Sequence, residues 1–229
     1  MNFEICTENL SGAQLAAQFK AKRIELCSAI SLGGLTPSYG NIEQCVEYGK
    51  VDVHVLIRPR AGGFCYSAQE LDLMQTDIVT ASKIGAKGVV LGVLNNQHQV
   101  VDINLKLLDL AKSHHLQVTF HRAFDLVSDM EKSIEKIIEM QFDRVLTSGL
   151  MENVLLGLKN LSHLAKNYGD QIEIMAGGGV NKDNAKRIAS LGIQNLHFTS
   201  HKPSVEPKPG FGVSYETDET KIKSIVSLF

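Results

Sequence analysis

Eight times along this chain, a short apolar, β-rich run gives way to a stretch with helical spacing. This strict alternation constrains the fold more than any single motif. Alternating strand and helix signals call for parallel strands joined by crossover helices. The strand runs are expected at Asn2–Cys6, Arg23–Cys27, Val51–Ile57, Gly88–Leu94, Leu116–His121, Asp143–Thr147, Ile172–Ala176 and Asn195–Ser200. Helices are expected at Leu10–Phe19, Ser38–Tyr48, Glu70–Ile84, Asp102–His114, Asp129–Met140, Glu152–Tyr168, Asn181–Ala189 and Asp218–Leu228. Ser11 is the expected N-cap of the first helix, and His201–Phe211 is expected to be a proline-containing loop. A unit of about 28 residues, repeated eight times, suits a (β/α)8 TIM-type barrel. No Gly/Ser tract or low-complexity run divides the 229 residues, so residues 1–229 read as one α/β domain. A doubly wound open sheet competes, but no mid-chain reversal signal favours it.

Parity along the strands sorts the side chains. In a barrel, successive strand residues point alternately to the lumen and to the helix layer. A carboxylate against an apolar helix layer is costly, so Glu4 and Glu25 are assigned to the lumen. Cys6 and Cys27 share their parity. The same rule turns His54, Leu56 and Arg58 inward on the third strand, Thr119 and His121 on the fifth, and His197 on the eighth. Six ionisable groups from five strands exceed what a packed interior requires. They point to a functional site at the carboxyl-terminal ends of the strands, where barrels bind ligands. The run Thr119-Phe120-His121-Arg122-Ala123-Phe124-Asp125 marks that edge most sharply, with Arg122 and Asp125 expected to pair.

Three chemistries are open at such a mouth. Two thiols on neighbouring strands suit a soft metal if an imidazole joins them, and they equally suit plain packing. The triplet Gly177-Gly178-Gly179, with Ser200 after the eighth strand, suits a phosphate or another anion held by backbone N–H groups and a helix N-terminus. Arg58-Pro59-Arg60 sets two guanidinium groups around a rigid kink, where one can clamp a carboxylate or phosphate. No lysine stands at a strand mouth, and no Gly-x-Ser-x-Gly or His-Glu-x-x-His is present. Aldolase, hydrolase and metalloprotease readings therefore lack their marks.

Composition narrows the partners. The net charge of −2 and pI near 6.4 give no basic footprint for nucleic acid. No Lys/Arg cluster marks a membrane surface, and no apolar run is long enough to span a bilayer. Residues 1–6 do not read as a signal peptide. A cytoplasmic protein with reduced thiols at Cys6, Cys27, Cys45 and Cys65 is expected.

Taken together, these motifs resemble those of the CutC family, named for copper homeostasis. The matching segments are Glu4-Ile5-Cys6, Arg23-Ile24-Glu25-Leu26-Cys27, Gly33-Gly34-Leu35-Thr36-Pro37-Ser38, Ile57-Arg58-Pro59-Arg60 and Gly63-Phe64-Cys65-Tyr66-Ser67. They continue through Gly92-Val93-Leu94, the Thr119–Asp125 run, Leu146-Thr147-Ser148-Gly149 and His197-Phe198-Thr199-Ser200. They follow in order over nearly the whole chain. One departure is visible: Gly63 stands where the family pattern usually has Asp before Phe, which weakens any role assigned to an acid in this loop. The resemblance implies a TIM-type barrel, a cytoplasmic location, a homodimer or larger homo-oligomer, and copper binding or intracellular copper handling. Under it, Cys6 and Cys27 would bind Cu(I), with His54 or His121 nearby. The alternative is a barrel enzyme acting on a small anionic or phosphorylated substrate. There Glu4, Glu25 and His121 would do acid–base work, and Arg58, Arg60, Arg122, Ser200 and the glycine triplet would hold the anion.

Overall fold

The computed structural model describes residues 1–204 and 215–229. Its strands are β1 Asn2–Thr7, β2 Arg23–Leu26, β3 Asp52–Leu56, β4 Gly88–Leu91, β5 Gln117–Phe120, β6 Arg144–Thr147, β7 Glu173–Ala176 and β8 Asn195–Thr199. All eight are parallel neighbours in order, and β1 pairs with β8, so the sheet closes into a barrel. The helices are α1 Leu10–Gln18, α2 Tyr39–Tyr48, α3 Ala68–Ile84, α4 Ile103–Ser113, α5 Met130–Glu139, α6 Leu158–Tyr168, α7 Ala185–Ala189 and α8 Glu219–Val226. The described residues thus form a (β/α)8 TIM-type barrel, as the alternation requires.

The local differences have local causes. Asn9, not Ser11, caps α1, its side chain accepting from Gly12 N–H at 3.1 Å. The helices expected from Glu152 and Asn181 begin only at Leu158 and Ala185. Asn153 and Asn181 bend the chain first, by accepting nearby backbone N–H groups. The segment read as a loop from His201 opens instead as β9, His201–Pro203, antiparallel to β10, Tyr215–Thr217. Residues 205–211 of that expected loop lie outside the described residues.

The outer faces of the strands and the inner faces of the helices form one continuous apolar layer. Ile5, Ile24, Val55, Leu91, Val118, Phe120, Val145, Leu196 and Phe198 meet Ala13, Ile42, Ile78, Leu107, Ile134, Leu161, Ile188 and Ile225 there. Inside the barrel only a small apolar cluster remains, of Cys6, Cys27, Leu56 and Val90. Beneath it lies a charged floor. Arg23 Nε donates to Glu4 Oε2 at 2.5 Å, both side chains being almost fully buried. Beside it Arg144 reaches Glu173 at 3.1 Å, Thr119 Oγ1 at 3.1 Å and Gln117 at 2.7 Å.

Two lumen-facing glycines on and just beyond β4 make the interior possible. A Cβ on Gly88 would stand 2.5 Å from the His54 ring, and one on Gly92 2.7 Å from His121 Nδ1. Each imidazole therefore occupies the space its neighbour's missing side chain leaves.

Replacing Arg23 with Met would leave the buried Glu4 carboxylate with His197 alone. The expected loss is about 3 kcal/mol of folding stability, near the low end for unpairing a buried charge. Urea denaturation of Arg23→Met measures it. A loss well under 1 kcal/mol would show the pair to be dispensable.

Candidate functional site

The carboxyl-terminal ends of the strands open into a cavity of about 320 Å³. Cys6, Glu25, Leu56, Arg58, Phe64, His121, Arg122, Gly178, Gly179, His197, Thr199 and Lys221 are among its lining residues. Strand parity puts Cys6, Glu25, Leu56, His197 and Thr199 there, since β1, β2, β3 and β8 each send alternate residues inward.

The deepest part is a chain of charges. Glu4 Oε1 lies 2.8 Å from His197 Nδ1, and His197 Nε2 lies 3.6 Å from Glu25 Oε2. Burial alone would push the Glu4 carboxyl up. The hydrogen bond from His197 and the Arg23 charge more than reverse this, and hold it well below the usual carboxylate range. Burial would likewise push the His197 ring down, but the two carboxylates raise it above its ordinary value. Glu25 is raised, chiefly by burial, with the His197 charge opposing. Two carboxylates of unlike acidity thus flank one imidazole and favour its protonated form.

The thiols stand one step above. Cys6 Sγ and Cys27 Sγ are 3.6 Å apart. The hydrogen bond between them, together with burial, raises the Cys6 thiol well above its usual value. Cys6 Sγ, a Glu25 carboxylate oxygen and a His197 ring nitrogen all lie within 4.8 Å of one another. Among the described residues this is the one group of three or more such donors. A thiol pair flanked by carboxylate and imidazole matches a soft or borderline metal ion.

The expected residues separate into those that meet here and those that do not. His54 is buried, but its neighbours are the floor charges Glu4, Arg144 and Arg23, and His197 occupies the place beside the thiols. Arg58 and Arg122 line the cavity, whereas Arg60 is turned away. Arg60 pairs with Glu70 and donates to the carbonyls of Ala61, Gly63 and Cys65. Gly178 and Gly179 line the cavity, while Gly177 packs against Leu146 and His197. No helix N-terminus backs the triplet, because α7 starts eight positions after Gly177, at Ala185. The Ser200 hydroxyl donates to the Cys6 carbonyl.

Arg122 and Asp125 pair as expected, at 2.6 Å. Asp125 also accepts from Thr147 Oγ1, Ser148 N–H and Leu150 N–H, which binds the end of β5 to the end of β6. The Arg122 guanidinium lies over Gly178, where a Cβ would be 3.0 Å from Cζ.

Three important residues escaped the sequence reading. Arg23 and Arg144 carry the inward parity of Glu25 and Leu146, so alternation could have found them. Lys221 had no such signal, and it corrects the expectation that no lysine reaches the mouth. It comes from α8, donates from Nζ to Thr199 Oγ1 at 2.6 Å, and is made less basic by burial.

The comparisons with known proteins agree on one family. The CutC family model matches residues 1–202. A CutC family protein of Pasteurella multocida is 38% identical over 200 residues, covering 87% of this chain and 82% of that protein. Its counterpart in Vibrio cholerae is 42% identical over 199 residues, covering 86% and 78%. A crystal structure of a CutC protein from Streptococcus agalactiae, provisionally described as a copper homeostasis protein, superposes with a TM-score of 0.78. It is 32% identical and covers 86% of this chain and 97% of that one.

The buried imidazoles set an acid limit on stability. Burial pushes both His54 and His121 down to about 3. Between the ordinary histidine value of 6.5 and about 3, the unfolded chain binds protons that these native rings refuse. Stability from these two groups is therefore intact above pH 6.5 and is lost as pH falls. The limiting slope is roughly 1.4 kcal/mol per pH unit for each ring. Urea midpoints from pH 7 to pH 5 should fall, and His121→Phe should flatten the slope. An unchanged slope in that variant would refute the assignment of His121.

Proposed function

Because this chain belongs to the CutC family, we propose that it serves copper homeostasis by binding Cu(I) at the Cys6–Cys27 pair in the barrel mouth. The carrying observation is the 3.6 Å approach of two buried thiols, of which Cys6 lines the cavity, with Glu25 and His197 beside Cys6. Soft thiolates prefer Cu(I) to harder ions. The two thiols fit such a cargo in type, and His197 joins them as a ligand once its ring has given up a proton. The floor charges are already paired, so they orient the donors without competing for the ion. Cytoplasmic location accords with four unpaired cysteines. No helix among the described residues is long and apolar enough to cross a membrane.

Thiols must lose protons to bind the metal, and burial together with Cys27 holds the Cys6 proton firmly. Binding therefore releases protons, and affinity should rise about tenfold per pH unit for each one released. An anaerobic Cu(I) titration against a competing chelator, at pH 6 and pH 8, tests both points. Tight one-site binding is expected, weakened more than about 100-fold in the Cys6→Ser, Cys27→Ser double variant. Affinity indifferent to those thiols would sink the proposal.

A second reading has its own support, the cations that ring the same cavity. Arg58, Arg122 and Lys221 line it together with His197. Such a mouth suits a barrel enzyme acting on a small anionic or phosphorylated substrate. Glu25 would exchange the proton, Glu4 would keep His197 charged, and the arginines would hold the anion. Thermal unfolding in the presence of phosphorylated and carboxylate metabolites tests this reading. A rise in Tm that disappears in Arg122→Gln is expected. No rise with any of them would count decisively against catalysis here.

A further inference from the structure

Two buried hydrogen-bond donors at the cavity wall have no acceptor. His121 is 5% exposed and its Nε2 is unpartnered. Arg58 is 6% exposed and its Nε is unpartnered, as is the buried hydroxyl of Tyr66 that its guanidinium approaches. His121 and Arg58 both lie against one ring, Phe64, whose centroid is 4.7 Å from that of His121 and 5.3 Å from Arg58 Cζ. A buried donor without an acceptor is a cost that folds rarely leave in place, so two sharing one wall call for an explanation.

The other polar atoms of both side chains are already engaged, and this fixes their orientation. Arg58 Nη1 donates to the carbonyls of Leu32 at 2.9 Å and Gly34 at 2.6 Å, and Nη2 to that of Gly62 at 2.8 Å. His121 Nδ1 accepts from Ala123 N–H at 3.2 Å. An Nδ1 that accepts carries no proton, so the ring hydrogen sits on Nε2. Burial and the neighbouring Arg58 charge keep the ring neutral, with its pKa down to about 3. His121 is therefore a neutral donor with a settled tautomer.

We propose that Arg58 Nε–H and His121 Nε2–H form a subsite for one oxyanion group, a carboxylate or a phosphate, of a small metabolite. The proposal rests on the second reading above and says where the anion is held. Both free atoms are donors, so the corner suits an anion and repels a metal ion. That separates it from the thiol cluster across the same cavity. The surrounding charge agrees: Arg122 and Lys221 are cationic, and among the described residues the one carboxylate lining the mouth, Glu25, faces His197. In this site His121 polarises and positions the ligand, and takes no proton from it.

The test uses the full chain and two probes, inorganic phosphate and glycolate. Side-chain nitrogen NMR follows His121 Nε2 during each titration, and calorimetry measures the affinities. One probe should bind, move the His121 Nε2 resonance, and weaken at least about tenfold in His121→Phe, the loss of one hydrogen bond to a charged group. His121→Gln, whose amide can donate from a similar place, should recover part of that loss. The stronger probe identifies the anion as phosphate or carboxylate. Because Arg58 also ties three loop carbonyls, the wild-type NMR shift and the His121 pair carry the test without it. Binding that leaves Nε2 unmoved and His121→Phe unaffected, yet weakens in Arg122→Gln, overturns this subsite while the second reading stands. No binding of either probe at roughly 50 mM overturns both.

Discussion

The interior of this barrel depends on the Glu4 carboxylate. It is buried at the start of the chain, and it is held by Arg23 from β2 and His197 from β8. Burial disfavours the ionised form, so the charge persists only because both partners reach it. The consequence runs in two directions. Downward, Arg23 joins β1 to β2 and approaches Glu173 beside Arg144. Upward, His197, whose protonated form the carboxylates favour, meets Glu25, which lies beside Cys6. One carboxylate thus links the floor of the barrel to its mouth. It also stitches the seam where the last strand closes on the first.

Above that floor the lumen divides by chemistry. The thiols, with Leu56 and Val90, form a small apolar plug. On one side it meets the Glu25–His197 pair. On the other it meets the wall built from Arg58, Phe64 and His121. The two sides have opposite hydrogen-bond character. Around Cys6 the available atoms are metal donors, while at the Arg58–His121 corner the free atoms are hydrogen-bond donors. A single cavity with both can hold a soft cation and an oxyanion in different places.

The Asp125 cluster has a different role. The contacts of this carboxylate come from the end of β6 at Thr147 and from the loops after β5 and β6, and Arg122 is held by it over Gly178. The Thr119–Asp125 run looks like a catalytic cluster as a sequence. In the fold it splits, with His121 in the wall, Asp125 fastening two loops, and Arg122 bridging from that fastening to the rim. Arg60 shows the same division, since Pro59 separates it from Arg58 and it turns to cap the outer loop near Glu70.

Alternation and parity, both local properties, were legible in the sequence. Eight strand–helix units implied the barrel, and the cost of burying a charge against the apolar helix layer put Glu4, Glu25, His54, Arg58, His121 and His197 inside, where all six are buried. Parity says which side of the sheet a residue faces, and nothing about its height or its neighbours around the ring. Those depend on register and closure, which join positions as distant as Glu4 and His197, 193 residues apart. Only the tertiary structure could place His197 rather than His54 beside the thiols, since that follows from β8 meeting β1. Only it could bring Lys221 to the mouth, because a helix residue carries no strand parity. The same holds for the empty side of Gly92, which lets the His121 ring settle with its free donor unpaired.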